Sequence, residues 1–121
     1  MKLSTILSES IEEWTYEQFS VLLMIHAAHT DLEYSIDERS KILEFISEES
    51  LQTIERYYDQ TTDGQILQII LANKSRFLQS SHNQNDMLRK LTLVFEADGE
   101  ISKLEQTQYE FLHRLILDAN F

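Results

Sequence analysis

Apolar residues recur at intervals of three and four positions along most of the chain, which is the spacing of an α-helix. No stretch alternates apolar and polar residues over a useful length, so the pattern predicts helices and no strands. The segment from Val21 to Ala28 is apolar on nearly every side, and we therefore expect its helix to be central. The other expected core stripes are Ile36, Ile42, Leu43 and Ile46; Leu51, Ile54 and Tyr58; Ile66, Leu67, Ile70, Phe77 and Leu78; Met87, Leu88, Leu91, Val94 and Phe95; and Leu104, Phe111, Leu112, Leu115 and Ala119.

Helix starts are marked by capping boxes, in which Ser or Thr is followed three residues later by Glu or Gln. Pairs with this spacing are Thr15–Gln18, Ser35–Glu38, Thr62–Gln65, Ser81–Gln84 and Ser102–Glu105. Ser47, followed directly by two glutamates, indicates a further start because acids stabilise the first turn of a helix. Since the chain has no Pro and only two Gly, we expect one helix before Trp14 and six after it. The predicted fold is an all-α single compact bundle of about six to seven helices, one domain over residues 1–121.

An acidic motif occurs twice in the chain. Residues 31–38 and 98–105 both read D-x-E-x-S-x-x-E, 67 positions apart, and each copy lies between two helix-like runs. The sequence therefore predicts an internal pseudo-repeat of helix, acidic corner and helix. Its halves are expected at about 16–46 and 83–117, joined by residues 47–79.

The repeated carboxylates have the chemistry of a hard-cation site, because such ions take oxygen ligands. Carboxylates two positions apart in an extended corner can point the same way, and the third acid of the motif lies beside them if it gives up its backbone cap. The candidate metal ligands are Asp31, Glu33, Glu38, Asp98, Glu100 and Glu105. An oxygen-only ligand set favours calcium, magnesium or manganese over zinc or copper. None of the possible EF-hand loops, which would begin at Asp31, Asp59 and Asp98, has the required Glu at position twelve.

A purely structural interpretation of the corners stays open. Ser35 and Ser102 can cap the helices that follow, and a cap alone contributes about 1 kcal/mol. Gly99 suits a left-handed residue after the preceding helix, whereas Leu32 at the matching position resists that conformation. Capping does not account for the Asp-x-Glu that precedes the serine in both copies.

The formal charge of −11 limits the partners of this chain. Nucleic acid and anionic membranes are disfavoured because both require clustered Lys and Arg, so we expect a protein partner with a basic or mixed surface. The absence of cysteine excludes disulfides and thiolate chemistry. The N-terminus lacks the apolar region of a signal peptide and the longest apolar run is too short to cross a bilayer, so a cytoplasmic location is expected.

Residues 96–105, which read E-A-D-G-E-I-S-K-L-E, resemble the A-D-G-x-[VI]-S-x-x-E signature of the TerB-like family. Residues 29–38 resemble the family's earlier corner, with Thr30 replacing Ala and Leu32 replacing Gly. The resemblance implies an all-α fold of about seven helices with metal-holding corners, in which Asp98, Glu105, Asp31 and Glu38 match the family's acidic positions. Glu33 and Glu100 are added from the chain's own repeat.

The expected function is therefore a non-enzymatic, acidic module that binds cations and proteins, as the resemblance to a family linked to tellurite resistance and stress implies. Two alternatives are a carboxylate-based metalloenzyme and a structural adaptor without an ion. The Glu-x-x-His pattern of helical di-metal proteins occurs once, at Glu110–His113.

Among the other side chains, His26 is expected in the core, whereas His29 is better placed to reach the first corner. Trp14 and Phe121 are the aromatic residues expected to form an exposed patch.

Overall fold

Six α-helices account for most of residues 14–29, 34–97, 99 and 102–118, which are the residues that the computed structural model describes. No strand occurs in these ranges, so the predicted all-α class is confirmed. The helix predicted before Trp14 lies outside the described residues. The helices are α1 (Tyr16–Ala28), α2 (Ile36–Ile42), α3 (Glu48–Asp59), α4 (Asp63–Phe77), α5 (Ser81–Phe95) and α6 (Lys103–Leu117).

Helix α1 is the centre of the bundle, as its all-round apolar surface predicts. Every residue from Phe19 to Ile25 is buried, and Ala27 and Ala28 are buried beyond them. The helix packs mainly on α5, α3 and α4 and also touches α2 and α6. Since each large apolar side chain gains roughly 1.5–3 kcal/mol on full burial, this helix is stable only when its neighbours surround it.

The predicted helix starts are largely confirmed. Complete capping boxes form at Thr15, Ser35, Thr62 and Ser102, and the Ser47 hydroxyl accepts a hydrogen bond from the Ser50 amide.

The fifth predicted box is wrong by one residue, because Ser80 rather than Ser81 caps α5. The Ser80 hydroxyl accepts from the Asn83 amide, 3.1 Å away. The Gln84 side chain turns back to donate to the Leu78 carbonyl at 2.9 Å, so it is not available to close a box.

Three predictions of exposure or burial are also wrong. Ile36 is 84% exposed and Leu104 is 55% exposed, because both lie on the outward side of the first turn of a helix, whereas Glu38 and Glu105 of the same turns face inward and are buried. Trp14 is buried rather than exposed, with its ring centroid 5.1 Å from that of Tyr57. The Arg76 guanidinium donates to the Trp14 carbonyl and fixes the chain there. The other predicted exposed aromatic, Phe121, lies outside the described residues.

A buried lysine joins α1 to α5. Lys90 is only 2% exposed, and its ammonium lies 3.0 Å from Glu17, 2.9 Å from Asp86 and 3.3 Å from the Ser20 hydroxyl. These oxygens can accept all three of its N–H bonds. The ammonium also lies 5.0 Å from the Tyr16 ring centroid, which adds a cation–π attraction. The charge is therefore compensated where it is buried.

We call the contacts of Lys90 with Glu17, Ser20 and Asp86 the lysine lock. Asp86 makes the stability contributed by this lock sensitive to acid. Burial alone would raise the pKa of Asp86, but hydrogen bonds from Lys90, Arg89 and Tyr16 lower it to about 2. A carboxylate whose pKa is lower in the folded chain than in the unfolded chain stabilises the fold above the unfolded value, near 4. That stabilisation is lost as the pH falls from about 4 to about 2.

We predict that Asp86→Asn lowers the free energy of unfolding by about 1–2 kcal/mol at pH 7, since Lys90 stays buried with one fewer anionic partner. Urea unfolding at a series of pH values should show a smaller loss of stability between about pH 4 and pH 2 in the variant than in the wild type. Asp59→Asn, at an exposed position, should change stability by less than ~0.5 kcal/mol. Equal effects of the two substitutions would contradict the assignment of Asp86 to the lock.

Candidate functional site

The two acidic corners connect corresponding pairs of helices. The first joins α1 to α2 and the second joins α5 to α6. Helices α1 and α5 end at Ala28 and Phe95, and helices α2 and α6 begin at Ile36 and Lys103, so both boundaries recur 67 positions apart. The capping serines have nearly the same backbone angles, with φ −78° and ψ 162° at Ser35 and φ −71° and ψ 165° at Ser102.

The predicted ligands fall into two groups. Glu38 and Glu105 are described, whereas Asp31, Glu33, Asp98 and Glu100 lie outside the described residues. Within the described ranges, no three His, Cys, Asp or Glu side chains form a group suited to a metal ion. Gly99 has φ 86°, as predicted, and its amide donates to the Glu96 carbonyl at 3.0 Å.

Glu38 and Glu105 occupy the same position of the two capping boxes, and both are buried. They are 2% and 5% exposed, respectively. One oxygen of Glu38 accepts from the Ser35 amide at 2.8 Å, and one oxygen of Glu105 accepts from the Ser102 amide at 3.1 Å. Each serine hydroxyl in turn accepts from the glutamate's own amide. The glutamates therefore close their capping boxes, and in the described residues Glu105 has no Lys or Arg within ion-pair distance.

The other two complete capping boxes in the described part of the chain differ in charge and burial. Gln18 and Gln65 close them with neutral amides, Gln18 is only partly buried, and Gln65 is exposed. The same backbone motif is thus built with a neutral side chain that is not fully buried at two helix starts and with a buried carboxylate at the two acidic corners. Burial of a carboxylate requires compensation that an amide does not.

Two histidines lie at the end of α1 that leads into the first corner. The Nδ1 atom of His29 lies 2.8 Å from the Ile25 carbonyl oxygen, and since a carbonyl can only accept, Nδ1 carries the proton. This leaves Nε2 as the nitrogen that could bind a metal, an arrangement typical of metal-binding histidines. The His29 ring also stacks on Tyr58, with centroids 4.4 Å apart. His26 is partly buried, and this burial lowers its pKa.

A cleft of about 440 Å³ lies beside the second corner, between α5 and α6. Phe95 and Tyr109 meet edge to face across it, with ring centroids 5.8 Å apart. The Thr92 and Tyr109 hydroxyl oxygens are 3.4 Å apart. The exposed Glu96 and Gln106 complete the described lining, which contains no basic side chain.

Sequence reasoning missed both this cleft and the lysine lock. Lys90 does carry a signal, because it lies three residues after Met87 and four before Val94, inside the apolar stripe of α5, with Asp86 four residues earlier. The cleft has no such signal. Its residues lie on two helices, and their periodicity does not reveal that the two faces meet.

No model of a known protein family matches the chain, and no curated protein or solved structure matches it significantly. Among the helices of the described residues, none combines the length and apolar character that crossing a bilayer requires.

We predict that Glu105→Gln leaves the free energy of unfolding within ~0.5 kcal/mol of the wild type in the absence of divalent cations, or raises it. Glutamine closes the same box at Gln18 and Gln65 and carries no charge to desolvate. Ser102→Ala removes the cap itself and should lower stability by about 1 kcal/mol. Urea unfolding in EDTA measures both values. If Glu105→Gln costs as much as Ser102→Ala, the charge has a structural role that the box does not explain.

Proposed function

We propose that this protein is a non-enzymatic module that binds a divalent cation at its acidic corners and contacts a protein partner. The resemblance of residues 96–105 to the TerB-like signature supports membership of that family and a role in tellurite or stress responses. In this proposal calcium, magnesium or manganese is held by Asp31, Glu33 and Glu38 at the first corner. Asp98, Glu100 and Glu105 hold it at the second corner.

The observation that carries the proposal is the burial of a carboxylate at the same position of both corners. Gln18 and Gln65 demonstrate that capping needs no charge there. At the second corner, a cation would supply the charge compensation that the buried Glu105 carboxylate requires. The cap uses one oxygen of Glu105, so the second oxygen is the atom that a cation would take.

The matched geometry of the corners favours an old duplication. Two helices end and two begin at the same offset of 67 positions, and a buried glutamate closes the capping box in both places. A duplicated stable cap would account for the serines and the glutamates. A duplicated ligand set also accounts for the Asp-x-Glu that precedes them.

The second corner is the better site of the two. Gly99 adopts the left-handed conformation that lets the chain turn tightly, and Leu32 holds the matching position in the first corner. The oxygen ligands of this corner suit hard cations rather than zinc or copper.

The metalloenzyme alternative receives no support from the Glu110–His113 pair. Di-metal helical proteins point Glu-x-x-His into the bundle core, whereas Glu110 is exposed on α6. The high negative charge of the chain supports a binding role with a basic or mixed protein surface.

Thermal melts with calcium, magnesium and manganese added separately test the proposal. A cation at ten times its dissociation constant stabilises the protein by about 1.4 kcal/mol, which raises Tm by roughly 4–8 °C. We expect Asp98→Asn to abolish this rise while leaving the Tm in EDTA unchanged or higher, because the substitution relieves repulsion between carboxylates.

Two control variants distinguish the loss of a metal ligand from the loss of a helix cap. Ser102→Ala should lower the Tm in EDTA and keep the cation-induced rise. Glu49→Gln, an exposed first-turn acid of α3 outside both corners, should keep the cation-induced rise and lower the Tm in EDTA only by the small amount that loss of a first-turn charge brings. If Asp98→Asn melts like the wild type with and without every cation, the corner is only a capped turn and the proposal is wrong.

A further inference from the structure

The cleft between α5 and α6 differs electrostatically from other clefts on the described surface. Its described lining combines the Glu96 carboxylate with the Tyr109 ring and no basic group. A larger, more open cleft along α6 shares Tyr109 and also has a carboxylate, Glu110, but Arg114 and His113 lie in the same lining. A cleft between α4 and α6 is lined by Lys74. A cationic group is therefore better accommodated beside Glu96 than in the other two clefts.

The volume and the lining residues of the cleft indicate which cationic group it can bind. Its volume of about 440 Å³ lies at the low end of the range for small-ligand pockets, which suits one side chain rather than a large cofactor. Tyr109 offers an aromatic surface, while Glu96 and the Gln106 amide oxygen offer acceptors. A guanidinium group matches this combination, because it stacks on aromatic rings and donates several hydrogen bonds in one plane.

We infer that this cleft receives an arginine side chain of a basic partner protein. Glu96 pairs with the guanidinium, Gln106 accepts a hydrogen bond and Tyr109 supplies the stacking surface. The net charge of −11 draws such a partner to the protein. This inference rests on the proposed protein-interaction role and not on the cation site, so the two can fail independently.

An acetylated tetra-arginine peptide amide is the probe, and its tetra-citrulline analogue is the uncharged control of similar shape. Both peptides are titrated in EDTA and followed by ¹H–¹⁵N NMR. The arginine peptide should shift the amide resonances of Thr92, Glu96, Gln106 and Tyr109, and the citrulline peptide should not. Measurement in EDTA keeps the result separate from cation binding. Failure of the arginine peptide to bind, or shifts of equal size across the acidic surface, would overturn the inference.

Two matched pairs of variants locate the binding. Glu96→Gln should weaken arginine binding by about fivefold, whereas Glu110→Gln, with the same charge change elsewhere on α6, should not weaken it.

Gln106→Lys places a cation in the cleft and should weaken binding by at least roughly tenfold. Gln68→Lys, at an exposed position of α4, should change it far less. Because both glutamines lie on exposed helical positions, we expect both lysine variants to fold. Equal effects within either pair would show diffuse attraction to the acidic surface and contradict a site in the cleft.

Discussion

The structure depends on the burial of α1 on all sides. A helix with apolar residues around its whole circumference cannot lie at a surface, so other helices must cover every face. Helices α3, α4 and α5 provide most of this cover. Because α5 packs along α1, the two helices that lead into the acidic corners are neighbours, and the lysine lock between them adds a polar tie to an otherwise apolar contact.

The two buried charges Lys90 and Glu105 differ in the protein groups that compensate them. Lys90 is surrounded by oxygen atoms that use each of its hydrogen-bond donors, and it lies over aromatic rings. The Glu105 carboxylate is also buried, and it accepts a hydrogen bond from the Ser102 amide. The functional proposal assigns its second oxygen to a cation, whereas the charge of Lys90 is already compensated by protein groups.

The helices and most of their starts could be predicted from the sequence, because capping boxes and apolar periodicity are local signals. Thr15, Ser35, Thr62 and Ser102 begin helices for reasons contained within four residues. Errors arose where distant parts of the chain decide the outcome. Trp14 is buried because Tyr57 and Arg76 meet it, and Ile36 is exposed because it lies on the outward side of the first turn of α2.

The candidate site was predictable only in part, for the same reason. The repeated motif identified Glu38 and Glu105, but their burial depends on packing that spacing does not reveal. The cleft beside the second corner requires α5 and α6 to be seen together. Local chemistry could thus be inferred from the chain, whereas the shape around it could not.

Paramagnetic manganese gives the most direct test of cation binding at the corners. In ¹H–¹⁵N NMR spectra with substoichiometric Mn²⁺, the account predicts selective broadening of the amides of Ser102 and Glu105, and weaker broadening at Ser35 and Glu38. The amides of Thr15 and Gln18, which form the same box at the opposite end of α1 from the first corner, should remain sharp. Broadening that is equal at all three boxes, or absent from the second corner, would contradict the account.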